Sequence, residues 1–333
     1  MHIISDLRRI AGFATSVLLA LAALPADAQG PAPAARAWNP DRTVTLIVPY
    51  AAGGGTDAMA RAVARGLAAV WNQAVVVENI PGADGLIGTR RAIEAKPDGH
   101  TIVLQLPSVT LAVHDPASKG FDPVDHIEPV TAVAEAWSAF ISSPKITART
   151  MQELIQYCKT APAPCSFATA EKSAKLIARK FAHETGISNL IVVNYKGAGP
   201  IIPDLMAGTV TMAFTSIGSA LPFYKAGNVR LLSTLGARRS PLLPEVQTIR
   251  EAGLPDFETV TWYGLFAPKG TPKAITESIA AAWREASKDP DVQRVIQAAG
   301  ATPALQTPDE FRKQVDIQRT RYSALAKQFP LMD

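Results

Sequence analysis

The sequence predicts an α/β protein in which two α/β domains enclose a ligand cleft. Two observations carry this prediction: apolar strand-like runs alternate with amphipathic helical patterns, and the first two turns that lead from a strand into a helix are rich in glycine. Such alternation is typical of a mainly parallel sheet that helices cover on both faces. The chain of 333 residues, 47% hydrophobic and 19% charged, is long enough for two such units.

The elements are expected in three groups. A first βαβαβ series has strands at 44–48, 74–78 and 101–106 and helices at 56–71 and 84–95. The second group has strands at 137–142, 165–169, 190–195, 210–215 and 229–235 and helices at 150–159, 173–185 and 200–208. The C-terminal group has a strand at 260–267 and helices at 272–288, 289–300 and 308–329.

This order predicts that the chain crosses twice between domains. Residues 38–136 and 258–333 are assigned to domain 1, and residues 137–257 to domain 2. Trp137, Trp262 and Tyr263 fall at the crossovers, where we expect them to pack the hinge or to shape the cleft.

The N-terminal segment has the pattern of an export signal. Arg8 and Arg9 precede an apolar run at 10–24, and the small residues at 26–28 predict cleavage before Gln29. Residues 1–28 are therefore interpreted as a signal peptide, by the general or the twin-arginine route, and residues 29–37 as a flexible leader. The mature protein is therefore expected to be exported. A net charge of +4 without a basic cluster interleaved with aromatics argues against nucleic-acid binding.

Export affects how the two cysteines are interpreted. Cys158 and Cys165 flank the sequence APAP, a loop that could bring the two sulfurs together in an oxidising compartment. The pair is either a local disulfide or two separate thiols. A metal site is not expected, because this spacing lacks the companion ligands of a zinc motif.

The first glycine-rich turn predicts an anion site. Gly53, Gly54 and Gly55 lie between a strand and a helix, where free amides and the helix dipole favour a negative group. Thr56 is expected to cap this helix, and Asp57 to lie in its first turn beside a solvent-filled cleft. The alternative is that the glycines only form a tight turn.

The second turn repeats this arrangement. Gly82, Gly85 and Gly88 surround the next helix start, which Asp84 is expected to cap. Ligands of open α/β sheets bind beyond the carboxyl ends of strands, so the two turns are expected to face one cleft. Neither turn has the G-x-G-x-x-G spacing of a dinucleotide site, and no cofactor is predicted.

Several segments, in this order along the chain, resemble one family. Residues 38–61 (WNPDRTVTLIVPYAAGGGTDAMAR), 78–104 (ENIPGADGLIGTRRAIEAKPDGHTIVL) and 194–273, which begin NYKGAGPIIPDLMAG, are similar to the Bug family, the substrate-binding proteins of tripartite tricarboxylate transporters. The resemblance spans nearly the whole mature chain. It implies a periplasmic binding protein type II-like (Venus flytrap) fold that closes on a small carboxylate.

The resemblance also implies the ligand-binding residues. The loop 50–57 matches the first ligand loop of the family, with Asp57 organising the loop and its waters. The remaining positions lie in the second turn, in the loop after the third strand and in domain 2. The full set implied is Tyr50, Gly53, Gly54, Gly55, Thr56, Asp57, Ala83, Asp84, Gly85, Ser108, Tyr195, Lys196, Gly197, Gly199, Thr215 and Ser216.

One loop departs from the family pattern. Members commonly carry a Gly/Ser-rich segment where this chain has 167–173 (FATAEKS), which is two residues shorter. Thr169, Glu171, Lys172 and Ser173 are therefore expected to line this wall of the cleft and to alter its charge or size. Lys172 either pairs with a ligand carboxylate or lies in solvent at a helix start.

The predicted function is capture of a small organic acid, by a monomer, for membrane subunits of a tripartite tricarboxylate-type transporter. Catalysis is not expected, because no histidine lies in an H-x-x-x-H or nucleophile context. Two alternatives remain: a sensing component that presents its liganded form to a membrane receptor, and an exported enzyme that uses the same cleft.

Overall fold

The computed structural model describes residues 38–169, 172–195, 200–259 and 261–329. The predicted signal peptide and leader lie outside the described residues, as do Glu171, Lys196, Gly197 and Gly199. In the part of the chain that the structure describes, no helix has the length and apolar character needed to cross a bilayer.

The first sheet, here called sheet A, has six strands in the order β11-β4-β10-β3-β1-β2. Their bounds are β1 Val44–Val48, β2 Val75–Asn79, β3 Thr101–Gln105, β4 Ile127–Ala136, β10 Thr261–Pro268 and β11 Ala301–Pro303. Strand β1 pairs in parallel with β2 and β3, whereas β10 runs antiparallel to β3 and β4, and β11 antiparallel to β4. The expectation of a mainly parallel sheet is therefore wrong: sheet A is mixed, because β10 returns from the second sheet in the opposite direction.

Helices cover both faces of sheet A. They are α1 Gly55–Trp71, α2 Leu86–Ile93, α7 Lys273–Ala286, α8 Pro290–Ala298 and α9 Pro308–Gln328. Met59, Val63 and Leu67 of α1 pack with Trp283 of α7 in one core cluster. On the other face, Phe311 of α9 belongs to a second cluster, which includes Trp262 and Phe266. Each face is thus buried by an amphipathic helical stripe.

The second sheet, sheet B, has five strands in the order β7-β6-β8-β5-β9. Its elements are β5 Ser138–Ser142, α3 Met151–Thr160, β6 Ser166–Thr169, α4 Lys172–Thr185, β7 Ile191–Asn194, α5 Ile201–Ala207, β8 Met212–Ser216, α6 Ile217–Lys225 and β9 Arg230–Thr234. Strand β6 runs parallel to β7 and β8, and β5 antiparallel to β8 and β9. Sheet B is therefore also mixed, with core clusters on both faces.

Three elements were absent from the sequence prediction. Helix α6 contains Gly218 and Pro222, two residues that weaken a helical pattern, although Ser216 caps its start. Strand β4 carries Pro129, which is unusual inside a strand. Strand β11 has only three residues and is held by its pairing with β4. Tertiary contacts override these weak local signals.

The disulfide prediction is confirmed. Cys158, in the last turn of α3, is bonded to Cys165, which precedes β6, and their Cα atoms lie 5.5 Å apart. Both residues are buried in the core cluster that also contains Phe167. The bond fixes the short loop between a helix and a strand of sheet B.

The chain passes between the sheets at Trp137, between β4 and β5, and again before Thr261, where β10 begins. The hydroxyls of Ser138 and Thr261 lie 3.4 Å apart, so the two crossovers are adjacent. Trp137 is buried at its crossover, whereas Trp262 packs in the core of sheet A. The domain boundaries at 137 and 257 stay a prediction.

Candidate functional site

The carboxyl ends of two groups of strands flank the crossovers. In sheet A, β3 and β4 both run antiparallel to β10, so they end at the same edge as β1 and β2. In sheet B, Ser138 at the start of β5 pairs with Ser216 at the end of β8, and β6 and β7 run the same way as β8. The carboxyl ends of β1, β2, β3, β6, β7 and β8 therefore face the crossovers, the side of the sheets on which α/β proteins bind ligands.

The first of these loops leads into α1. The helix begins at Gly55, with Gly54 in the N-cap position, and no side chain accepts a hydrogen bond there. The expectation that Thr56 caps the helix is wrong, because the helix starts one residue earlier and places Thr56 within its first turn. The amides of Gly55, Thr56 and Asp57 lack intrahelical acceptors by the geometry of a helix start. They form a donor group at the positive end of the helix dipole.

The three glycines have different backbone roles. Gly53 has a φ of +83°, a conformation that favours glycine, whereas Gly54 has a φ of −84°. Within the described part of the chain, a Cβ atom at Gly53 or Gly55 would have no neighbour closer than 4 Å, and one at Gly54 would lie 3.8 Å from the Ala51 carbonyl oxygen. Only Gly53 is therefore required by backbone conformation. Neither strain nor packing explains why positions 54 and 55 lack side chains.

The side chain of Asp57 stabilises this loop through hydrogen bonds. Its carboxylate accepts the Gly53 amide at 2.9 Å, Arg61 Nε at 3.0 Å and Asn79 Nδ2 at 3.0 Å. The residue is only 4% exposed, so the expectation that it borders a solvent-filled cleft is wrong. The Arg61 hydrogen bond lowers the pKa of the Asp57 carboxyl below 3.8, and the Gly53 and Asn79 bonds act in the same direction against the effect of burial.

Arg61 and Asn79 were absent from the sequence-based prediction of the site. Asn79 Nδ2 also donates to the Tyr50 carbonyl at 3.1 Å, and Arg61 donates to Asn79 Oδ1 at 3.3 Å. Asn79, the last residue of β2, therefore links the loop after β1 to the Asp57 carboxylate. The spacing of Asp57 and Arg61, four residues on a helix, was a usable signal for their pairing. Asn79 had no local signal, because its partners come from a neighbouring strand's loop.

The second turn is strained. Ala83 and Asp84 have φ values of 46° and 57°, and α2 begins at Leu86 with Gly85 as the N-cap. The expectation that Asp84 caps this helix is therefore wrong, since it lies before the cap in a left-handed conformation. Gly88 serves packing, because a Cβ there would lie 2.6 Å from the Ile80 carbonyl oxygen. A non-glycine residue with positive φ marks a turn that tertiary contacts hold in place.

Two predicted binding residues of different loops meet at a hydroxyl pair. Tyr50 Oη lies 3.3 Å from Ser108 Oγ, and a Cβ at Gly85 would lie 3.7 Å from the Tyr50 ring. A small pocket adjoins them. Its lining is Ala83, Asp84, Leu86, Ser108, Leu111, Ala112, Asp115 and Ser118. The structure thus brings the loops after β1, β2 and β3 together, as the sequence predicted.

The predicted residues of sheet B lie at the ends of its parallel strands. Thr169 ends β6 and Thr215 lies near the end of β8, and both are buried, as is Ser173 in the first turn of α4. Ser216 caps α6: its hydroxyl accepts the Ser219 amide at 3.3 Å. The Ser216 hydroxyl oxygen therefore already serves as the N-cap acceptor of α6.

The hydroxyl hydrogen of Tyr195 is used within the protein. Its Oη donates to the Asp204 carboxylate of α5. Burial and this hydrogen bond raise the pKa of Tyr195 to about 12. The phenol is therefore neutral near pH 7, and its oxygen can serve a ligand only as an acceptor.

Comparison with known proteins identifies similar chains. Residues 59–331 match the model of the tripartite tricarboxylate transporter family receptor. The chain is 33% identical to Protein BugT of Bordetella pertussis over 301 residues, covering 89% of this chain and 92% of BugT. The structure of the periplasmic binding protein BugD superposes with a TM-score of 0.71 at 29% identity, over 87% of this chain and 98% of BugD. The structure of MatC of Rhodopseudomonas palustris, solved with bound malate, superposes with a TM-score of 0.71 at 29% identity, over 86% of this chain and 99% of MatC.

Proposed function

The chain belongs to the tripartite tricarboxylate transporter receptor family, and on this premise we propose that it captures a small carboxylate-bearing solute in the periplasm for a transporter of that type. The predicted family, the periplasmic binding protein fold class and the receptor function are confirmed. The ligand class, the residues that hold it and the partners are proposed for this chain.

The single observation that carries the ligand class is the bare start of α1. The amides of Gly55, Thr56 and Asp57 have no intrahelical acceptors, and Gly54 and Gly55 have no side chains to keep a ligand away. A carboxylate is planar and accepts two hydrogen bonds, so adjacent amides at the positive end of a helix suit it. The malate that MatC holds is a dicarboxylate of this chemical class.

The negative charge of the buried Asp57 carboxylate does not prevent an anion from binding nearby. Its carboxylate is hydrogen-bonded to Arg61, whose guanidinium compensates the charge at 3.0 Å. The role of Asp57 is therefore to position Gly53 and the loop. We propose that the Asp57 side chain acts on affinity through the loop, whereas the Asp57 amide belongs to the donor group at the helix start.

The remaining ligand contacts are proposed from both sheets. From sheet A they are Tyr50, Gly53, Gly54, Gly55, Thr56, Ala83, Asp84, Gly85 and Ser108. From sheet B they are Thr169, Ser173, Tyr195, Lys196, Gly197, Gly199, Thr215 and Ser216. The buried hydroxyls of Thr169 and Thr215 support a second set of donors at the carboxyl ends of β6 and β8.

Location and partners follow from the same premise. The predicted signal peptide and the similarity to a periplasmic binding protein support export to the periplasm. We propose membrane transporter subunits as the partners, a monomeric receptor, and binding without turnover of the ligand. The receptor nature of the family supports the absence of catalysis.

Native mass spectrometry of protein purified without added ligand tests the ligand class, because a co-purified acid reports its own mass. Calorimetry with malate and with unbranched dicarboxylates of two to six carbons then gives affinities, with malamide as the uncharged control. We expect one dicarboxylate to bind with at least tenfold preference over malamide, since each charged hydrogen bond contributes about 1.5–3 kcal/mol. Equal binding of acid and amide would contradict the proposal, and consumption of the ligand would favour the enzyme alternative.

A further inference from the structure

A second cavity lies at the crossovers between the two sheets. It has a volume of about 160 Å³ and is lined by Glu135, Ala136, Trp137, Ala237, Arg238 and Thr259. Glu135, Ala136 and Trp137 lie at the end of β4, whereas the other three residues follow β9 in the chain. None of the six is among the proposed carboxylate-binding residues. We call this the crossover cavity.

The polar groups around the crossover cavity are unpaired. Thr259 is 6% exposed, and its buried hydroxyl has no hydrogen-bond partner among the residues that the structure describes. No hydrogen bond or ion pair links the half-buried Glu135 side chain to any residue that the structure describes. A buried hydroxyl without a partner is uncommon in native proteins and often marks a site for water or a ligand.

Arg238 supplies the opposite charge. Its guanidinium carbon lies 5.6 Å from the centroid of the Trp137 ring, a cation–π distance, and Arg238 forms no ion pair within the described ranges. Glu135 and Arg238 thus line one small cavity without pairing with each other. The space between an unpaired anion and an unpaired cation suits a molecule that carries both charges.

We propose that the crossover cavity binds a small zwitterion, with its ammonium group toward Glu135, its carboxylate toward Arg238 and its carbon atoms against the Trp137 ring. The Thr259 hydroxyl donates a further hydrogen bond to the carboxylate. A ligand with only a carboxylate would leave the Glu135 side chain without a partner. A ligand with only an ammonium group would leave the Arg238 side chain without one. Sites for drug-sized ligands are roughly 300–1,000 Å³, so this cavity suits a molecule of amino-acid size.

NMR spectroscopy of the tryptophan indole groups provides the test. The chain has five tryptophans, so ¹⁵N labelling gives one indole signal for each, and Trp137→Phe identifies the signal of Trp137. Glycine, L-alanine and β-alanine are the probes, with acetate and methylammonium as half-molecules. We expect a saturable shift of the Trp137 signal with the zwitterions and at least about tenfold weaker binding of the half-molecules, because each lacks one charged contact.

Two variants with nearly unchanged shape test the assigned charges. Glu135→Gln and Arg238→Gln are each expected to weaken zwitterion binding at least about tenfold, whereas the exposed control Glu245→Gln leaves it unchanged. A Trp137 signal that does not move, acetate that binds as well as alanine, or unchanged binding in both variants would overturn the proposal. The titration is repeated in Gly54→Val. A shift that persists supports a separate site, and its loss would show that the zwitterion occupies the carboxylate site instead.

Discussion

The buried carboxylate of Asp57 accepts the backbone amide of Gly53 at 2.9 Å, four residues earlier in the chain. This bond closes the loop between β1 and α1 and uses the Gly53 amide inside the protein. The amides that remain for a ligand are therefore those of the helix start at Gly55, Thr56 and Asp57. Asp57 and Gly53 together determine the shape of the loop, and the residues between them determine what can approach it.

Gly55→Ala is expected to stabilise the protein and to weaken ligand binding. Position 55 is helical and a Cβ there meets no other atom within 4 Å, so alanine reduces the entropy of the unfolded chain by about 0.5–1 kcal/mol without strain. The added methyl lies where the ligand is proposed to approach, and affinity should fall about tenfold or more. Calorimetry and thermal unfolding measure the two effects, and unchanged affinity would remove this glycine from the site.

Gly54→Val is expected to abolish detectable binding of the dicarboxylate with a small change in stability. Gly54 has a negative φ of −84°, so valine causes no left-handed strain, although it is a poorer N-cap residue by about 1 kcal/mol. Gly54→Ala is the milder companion variant. If the valine variant binds the acid as tightly as the parent protein, the glycine run is only a turn.

Gly53→Ala is expected to act by strain. Its φ of +83° disfavours any residue with a Cβ, so the ligand-free protein should lose about 1–2 kcal/mol of unfolding free energy. Chemical denaturation of the ligand-free protein measures this loss. Equal stability of Gly53→Ala and Gly55→Ala would show that the loop adjusts its backbone.

Asp57→Ala is expected to lower both stability and affinity. The change removes the acceptor of the Gly53 amide and one acceptor each from Arg61 and Asn79, at a cost of about 1–3 kcal/mol. Arg61→Gln is the control, because it removes the ion pair but keeps the acceptor for Gly53. If Asp57→Ala binds normally, the loop does not need this bond.

The stability contribution of Asp57 is expected to depend on pH in the acid range. Its pKa is lower in the folded protein than in the unfolded chain, so the unfolded chain binds more protons as the pH falls. The contribution is fully present above the unfolded pKa and is lost as the pH falls through the folded pKa. Denaturation of the parent protein and of Asp57→Asn between pH 7 and pH 2 should therefore show a stability difference that shrinks only in acid. A stability difference that stays constant from pH 7 to pH 2 would contradict the predicted direction of the pH dependence.

Reduction of the disulfide is expected to destabilise the protein. A bond between Cys158 and Cys165 closes a loop of seven-residue separation, for which chain entropy gives about 2–3 kcal/mol. Thermal unfolding with and without dithiothreitol measures the effect, and the double variant Cys158→Ala/Cys165→Ala should not respond to the reductant. Equal melting temperatures with and without reductant in the parent protein would contradict it.

Local pattern was sufficient for most elements. The periodicity around Met59, Val63 and Leu67 predicted α1 and its buried face, because such a stripe must face a core whatever the rest of the chain does. The same apolar spacing extends to Val70, which is nevertheless 39% exposed at the end of the helix. Local pattern also failed to predict strand β4 and helix α6. Pro129 and Pro222 weaken their local signals, and neighbouring elements stabilise both.

The βαβ order, the candidate disulfide and the glycine loop before α1 could be predicted, since each depends on residues close together in the chain. Three features became visible only in the folded protein: the mixed sheets, the burial of Asp57 with its bond to Asn79, and the meeting of Glu135 and Arg238 at one cavity. These depend on which distant segments become neighbours. Local propensity and spacing do not predict which distant segments pack together, because that depends on how both faces of each sheet are buried.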